Sequence, residues 1–195
     1  MIFGAYDEKA GFSELHFDEA MTNVVKEKKT LSSFDAVKTD VMHYIDACFP
    51  LIYVNTFEEE KADELINAVA TGRNIFEWSE QGFYQKQTHG GEKSGVQHPD
   101  WSLQTVLREL IEDYRTHLAV KTYNPIAGRY DLRQSLLILK DAHTYLKDSK
   151  IIADLKYLSQ LIYNGNIEDC NIIIVSTVLT VPPELENYLT VVKIG

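Results

Sequence analysis

Two polar side chains, Asp141 and Ser176, follow apolar runs that are predicted to be buried strands. Asp141 comes after the run 136–139 and Lys140, and an aspartate at the end of such a strand can help to hold the Mg²⁺ of a bound nucleotide. Ser176 ends the run 172–175, where a polar side chain can face a terminal phosphate. Each has a structural alternative, because Asp141 can cap the next turn or pair with Lys140 or a neighbouring residue, and Ser176 can hydrogen-bond the loop backbone.

A phosphate-binding turn is missing where such a site would need it. The strand predicted from Leu51 is followed by a helix predicted from Phe57, and nucleotide-binding proteins carry G-x-x-x-x-G-K-[ST] at this turn to hold phosphates. The chain instead has Asn55-Thr-Phe-Glu-Glu-Glu-Lys61, without glycine. Its three glutamates lie at the helix start, where they oppose the binding of an anion. Thr56 and Glu59 also fit a T-x-x-E capping box, which would occupy the free N–H donors.

Other signals for catalysis or metal binding are sparse. Ala142 and His143 follow Asp141, so the second acid that would polarise an attacking water is absent. His89 and His98 flank a Gly-rich segment, but no further ligands stand at metal-binding spacing. We therefore predict no catalytic residue, no metal site and no cofactor for this chain. An atypical nucleotide hydrolase would have to depend on Lys61 and Asp141.

The composition restricts the classes of partner. Of the 195 residues 45% are hydrophobic and 25% charged, and the formal net charge is −10. Such an acidic chain is not expected to bind nucleic acid or an anionic membrane, because both need clustered Lys and Arg. No apolar run is long enough for a membrane span, and the start lacks a signal peptide pattern. Cys48 and Cys170 are predicted to be buried, reduced thiols, and we expect a cytoplasmic protein.

The order of elements predicts one α/β domain with a polar arm before it. Residues 1–34 are polar and weakly patterned, and residues 35–195 alternate apolar strands with amphipathic helices. Continuous apolar strands separated by helices predict a three-layer αβα fold with a mostly parallel, five-stranded sheet. Residues 85–99 are rich in Gly, His, Gln and Lys and predict a flexible surface insertion. The predicted strands are 51–54, 75–78, 136–139, 172–175 and 191–194.

Several blocks of the chain together resemble a known family. They are Tyr44–Glu60, Ile75–Ser79 with Gly82, Leu139–Asp148, Ile172–Ser176, Val181–Leu185 and Leu189–Val192. These blocks resemble the N-terminal region of AAA-family ATPases of the chloroplast and cyanobacterial type, which are related to stage V sporulation protein K. The resemblance covers about residues 36–195.

The resemblance implies a degenerate P-loop-like domain with RecA/AAA-like topology that lacks Walker A. In that family a second, C-terminal AAA domain binds Mg-ATP and carries Walker A, Walker B and the arginine finger. That module is expected to be absent from this chain. Asp141 and Ser176 match only the vestigial Walker B and sensor positions.

The resemblance also implies a function in a larger assembly. It predicts a non-catalytic domain that acts in assembly or presents a substrate or partner to an ATPase motor. The partners would be the AAA module or other subunits of an oligomer, reached through an edge strand and apolar helix faces, together with an unknown protein substrate. Two alternatives stay open, a stand-alone interaction module that binds through residues 1–34 or 85–99, and the atypical hydrolase.

Overall fold

The computed structural model describes residues 33–88, 97–118 and 130–195. Its helices are α1 (Ser33–Asp46), α2 (Glu59–Ala70), α3 (Leu103–Asp113) and α4 (Ser149–Tyr163), with a π-helical turn at Tyr114–Leu118 and 3₁₀ turns at Ala142–Tyr145 and Pro183–Tyr188. Its strands are β1 (Leu51–Thr56), β2 (Asn74–Ser79), β3 (Gly82–Gln87), β4 (Gln97–His98), β5 (Ser135–Lys140), β6 (Cys170–Ser176) and β7 (Leu189–Ile194).

The strands form one sheet in the order β4-β3-β2-β5-β6-β1-β7. The five strands from β2 to β7 in this order are parallel to their neighbours, which confirms the five predicted strands and their orientation. The predicted strand count is wrong, because the described sheet has seven strands. The two additional strands, β3 and β4, extend the sheet with antiparallel pairing.

The alternation of side chains along β1 divides the core into two layers. Leu51 and Tyr53 lie on the face that α3 and α4 cover, whereas Ile52 and Val54 lie on the face that α1 and α2 cover. All four side chains are buried, as expected for parallel strands with helices on both faces. The predicted three-layer αβα arrangement is therefore confirmed.

The prediction that residues 85–99 form a surface insertion is wrong at both ends. Residues 85–87 complete β3, which pairs with β2, and residues 97–98 form β4. The pairing is stabilised by Phe83, which is buried and stacks on the rings of Phe76 and Trp101. Residues 89–96 lie outside the described residues, as do residues 1–32 of the predicted arm, whose last two residues, 33 and 34, begin α1.

The two cysteines differ in environment, so the prediction that both are buried is wrong for Cys48. Cys48 is exposed at the turn after α1, with a positive φ of 54°. Cys170 is buried at the start of β6, and burial raises the pKa of its thiol to about 12. This thiol therefore stays protonated near neutral pH and packs as a small apolar group.

Gly82 is required by the hairpin between β2 and β3. It has a φ of +110°, and a Cβ added there would lie 2.5 Å from Pro99 Cα and 2.6 Å from the carbonyl oxygen of His98. We expect Gly82→Ala to lower the free energy of unfolding by about 2–4 kcal/mol, since strain and a backbone clash add. Urea denaturation of the purified chain measures this loss.

Gly72→Ala is the matched control for this variant. Gly72 also has a positive φ, +80°, but a Cβ there would meet no atom within 4 Å. Only backbone strain then remains, and a loss of about 1 kcal/mol is expected. Equal losses for the two variants would contradict the close approach of β4 to Gly82.

Candidate functional site at the carboxyl edge of the sheet

β1 and β6 are neighbours in the sheet, but the chain leaves them in opposite directions. It runs from β1 to β2, beyond β6, and from β6 to β7, beyond β1. The helix that follows β1 packs on one face of the sheet, whereas the helix after β5 and the 3₁₀ turn after β6 pack on the other. Neighbouring parallel strands whose connections leave in opposite directions open a crevice beyond their carboxyl ends, and ligands of open α/β sheets bind there. This crevice is the first place to look for a functional site.

The strand register brings the predicted site residues to this edge. Asn55 of β1 pairs with Ser176 of β6, and Lys140 of β5 pairs with Val175. Asp141, the residue after Lys140, therefore lies beside the end of β6. Asp141 and Ser176 thus lie at the ends of two adjacent strands, β5 and β6.

Asn55 and Tyr53 hold the loop that follows β6. The Asn55 side-chain amide donates to the carbonyl oxygens of Ser176, at 3.1 Å, and Thr177, at 3.0 Å. The Tyr53 hydroxyl donates to the Val178 carbonyl oxygen at 2.5 Å and accepts from the Thr180 N–H at 3.3 Å. Side chains of β1 therefore occupy the mouth of the crevice and bind the protein's own backbone.

Ser176 makes its hydrogen bonds inside the protein. Its side chain is buried, with 2% of its surface exposed, and its Oγ lies 2.6 Å from Nδ1 of His143. The same Oγ accepts the Val178 N–H at 3.2 Å. These contacts match the structural alternative for Ser176, in which the hydroxyl binds loop backbone.

Asp141 is exposed and has a left-handed backbone, with a φ of 52°. Its N–H donates to the Val175 carbonyl oxygen at 2.8 Å. It lies at the N-cap of the following 3₁₀ turn, but its carboxylate makes no hydrogen bond to that turn. The alternative pairing with Lys140 is not found, because the Lys140 Nζ lies 2.7 Å from Asp63 and 3.7 Å from Glu77.

The turn between β1 and α2 does not contain the predicted capping box. The N-cap of α2 is Glu58, without a side-chain capping bond, so Thr56 lies two residues before the cap. Its Oγ1 accepts the N–H of Glu58 at 3.0 Å. Lys61 Nζ, in turn, lies 2.8 Å from the Glu58 carboxylate. The prediction failed because the helix begins at Glu59, later than the sequence pattern indicated.

Sequence reasoning did not identify Tyr53 and His143 as members of this edge. The neighbours of Tyr53 in β1, Ile52 and Val54, are apolar, so the sequence suggests a core residue. The only hint of a polar role is that its hydroxyl lies at a buried position. Burial also raises its pKa, which keeps the hydroxyl protonated and able to donate. His143 comes two residues after Asp141, and nothing in the sequence relates it to Ser176.

A cleft lies at the opposite, amino edge of the sheet. It has a volume of about 370 Å³ and is lined by Asn74, Asp131, Arg133, Gln134, Glu168 and Asp169. Its charges are partly paired, since Arg133 lies 2.7 Å from Asp131 and Arg73 lies 2.8 Å from Asp169. Within the described ranges no group of three or more His, Cys, Asp or Glu side chains is placed to hold a metal ion.

The family model of the SpoVK-like AAA ATPase N-terminal domain matches residues 37–194. The chain belongs to this family. The match agrees with the blocks that carry the resemblance and with the P-loop-like class predicted for the fold. None of the helices that the structure describes is long and apolar enough to span a membrane.

Two curated relatives share the name uncharacterized AAA domain-containing protein ycf46. The one from Guillardia theta is 26% identical over 168 residues, which are 84% of this chain and 28% of the relative. The one from Trieres chinensis is 27% identical over 152 residues, 76% of this chain and 26% of the relative. The chain thus spans little more than a quarter of the length of these relatives. No solved structure matches it significantly.

We expect Tyr53→Phe to weaken the closed edge without disturbing the core. The variant keeps the buried ring but removes the hydroxyl that binds Val178 and Thr180. Their carbonyl and N–H then lose a partner, so the free energy of unfolding should fall by about 1–2 kcal/mol. Urea denaturation measures the change.

Tyr84→Phe is the control, because the Tyr84 hydroxyl donates to the Gln81 carbonyl oxygen in an exposed turn. Its loss should stay within about 0.5 kcal/mol, as for most surface substitutions. If Tyr53→Phe were as mild as this control, the hydroxyl would not hold the loop after β6.

Proposed function

We propose that this chain is a non-catalytic domain of an AAA-type ATPase and acts in assembly or in presenting a protein to the ATPase motor. One observation carries the proposal, namely that the crevice between β1 and β6 is filled by the protein's own hydrogen bonds. Asn55, Tyr53 and Ser176 each bind backbone of the loop 176–180. A nucleotide would have to break these bonds before it could enter.

The charge of the β1–α2 turn supports the same proposal. In a phosphate-binding turn the N–H groups at the helix start and a lysine face the anion. Here Glu58, Glu59 and Glu60 stand at that position and are exposed, and Lys61 is paired with Glu58. The turn is therefore interpreted as a degenerate Walker A that repels phosphate. This pairing also opposes an atypical hydrolase that uses Lys61.

The apolar faces of α2 and α4 pack mainly against the sheet. In α2 the apolar residues Ala62, Leu65, Ile66 and Val69 are buried against the sheet, and most apolar residues of α4 are also in the core, although Tyr163 at its end is exposed. The expectation that helix faces contact other subunits therefore stays a prediction. Partners would also meet the domain through loops, through exposed apolar side chains or along the outermost strands of the described sheet, β4 and β7.

Calorimetric titration of Mg·ATP into the purified chain tests the non-catalytic half of the proposal. No detectable heat is expected at millimolar ligand, because the crevice is filled and its rim is acidic. The Lys61→Ala variant is titrated in parallel and should give the same result. Saturable binding that disappears in Lys61→Ala would contradict the proposal and favour a nucleotide hydrolase or sensor.

The assembly half can be tested in the full-length Guillardia theta relative. Deletion of the segment that matches this chain should leave ATP hydrolysis measurable, because the proposal assigns hydrolysis to the AAA domain. The same deletion should change the oligomer size measured by light scattering or abolish stimulation by a protein substrate. Full retention of both properties would contradict a role in assembly or presentation.

A further inference from the structure

Three large apolar side chains are exposed at the carboxyl edge of the sheet. Phe57 is 84% exposed, Val178 is 49% exposed and Leu179 is 43% exposed. We refer to these three residues as the apolar patch. Phe57 follows β1, and Val178 and Leu179 follow its neighbour β6. Exposed apolar side chains at one edge of a sheet, with polar groups around them, are typical of protein interaction sites.

The Val178 backbone of the patch is held in position by hydrogen bonds from the neighbouring strands. The backbone of Val178 is fixed twice, since its N–H donates to Ser176 and its carbonyl oxygen accepts from Tyr53. A preorganised loop loses little conformational entropy on binding, which favours its use as a docking surface.

The rim of the apolar patch is predominantly acidic. Glu58, Glu59 and Glu60 directly follow Phe57 and are exposed, and Asp141 is exposed at the end of β5. Lys61 offsets one of these charges through its ion pair with Glu58. Lys193 of β7 is also exposed and pairs with Asn55 of β1, so it places one positive charge near this edge. An apolar centre within an acidic rim is complementary to a basic, apolar segment.

We propose that the apolar patch docks a basic peptide segment of a partner protein, with an apolar side chain of that segment against Phe57. This inference rests on the proposed function as a protein-binding domain and names the chemistry of the partner. A second copy of the chain fits less well, because a two-fold contact at this patch would bring two acidic rims together. An anionic lipid surface is disfavoured by the same charges.

Selection from a display library of random short peptides against the immobilised chain tests this inference. Enriched peptides should combine Lys or Arg with a large apolar residue. Synthetic versions of them should bind the Phe57→Ser variant at least about tenfold more weakly, as for loss of an aromatic anchor. Binding should also weaken with added salt, and by about threefold in a Glu59→Gln/Glu60→Gln variant.

Tyr163→Ser is the matched control, because Tyr163 is also exposed, at 68%, but lies at the end of α4. It should bind the selected peptides as the unmodified chain does. Enrichment of acidic peptides, equal binding by the Phe57→Ser variant, or the absence of any enriched peptide would overturn the inference. Dimerisation of the chain that Phe57→Ser abolishes would likewise overturn it and assign the patch to a second copy.

These outcomes are separate from those of the nucleotide titration. If Mg·ATP gives no heat and no peptide is enriched, the docking inference fails while the non-catalytic domain remains supported. If Mg·ATP binds, the proposed function fails whatever the peptides do.

Discussion

The hydrogen bonds from the Asn55 amide to the carboxyl end of β6 fix the backbone at the edge of the sheet where a ligand would bind. The reversal of strand order between β1 and β6 opens a crevice at the place where α/β proteins bind ligands. Asn55 donates to Ser176 and Thr177 across that crevice, and Tyr53 fixes the next residues of the loop. Side chains of β1 therefore bind the loop after β6 at the edge where the proposed function excludes a nucleotide.

The same contacts relate the closed crevice to the exposed surface beside it. Because Ser176 and Tyr53 fix the backbone of Val178, the loop cannot turn the Val178 and Leu179 side chains freely into the core. Phe57 lies between the end of β1 at Thr56 and the start of α2 at Glu59, and its side chain is exposed. An edge whose β1–α2 turn lacks the G-x-x-x-x-G-K-[ST] residues thus presents exposed apolar side chains beside acidic ones, which suits protein contact better than contact with an anion.

The parallel part of the fold could be predicted because its signal is local. Apolar runs such as Leu136–Leu139 are bounded by polar residues, and each was confirmed as a strand in the parallel sheet. β3 was missed because its second half, Gln-Lys-Gln at residues 85–87, is polar and does not look like a buried strand. Phe83 is the large apolar side chain of β3 that is buried in the core. The beginning of α2 was misplaced since Thr56 and Glu59 fit a capping box that the backbone does not form.

The contacts of the candidate site could not be predicted because they join distant parts of the chain. The Tyr53 hydroxyl binds a residue 125 positions later, and His143 reaches Ser176 only because β5 and β6 are neighbours. The sequence did place Asp141 and Ser176 at strand ends, and the strand register sets them side by side. Their chemical role depends on partners that periodicity does not specify.

Hydrogen–deuterium exchange at the amides of Val178 and Thr180, with and without Mg·ATP, tests the closed crevice most directly. Both N–H groups donate to side chains of this edge, so slow exchange is expected, and Mg·ATP should leave it unchanged. Fast exchange in the absence of ligand would show that the crevice is open. A change in protection on addition of Mg·ATP would show that nucleotide enters it, and either result would contradict the account.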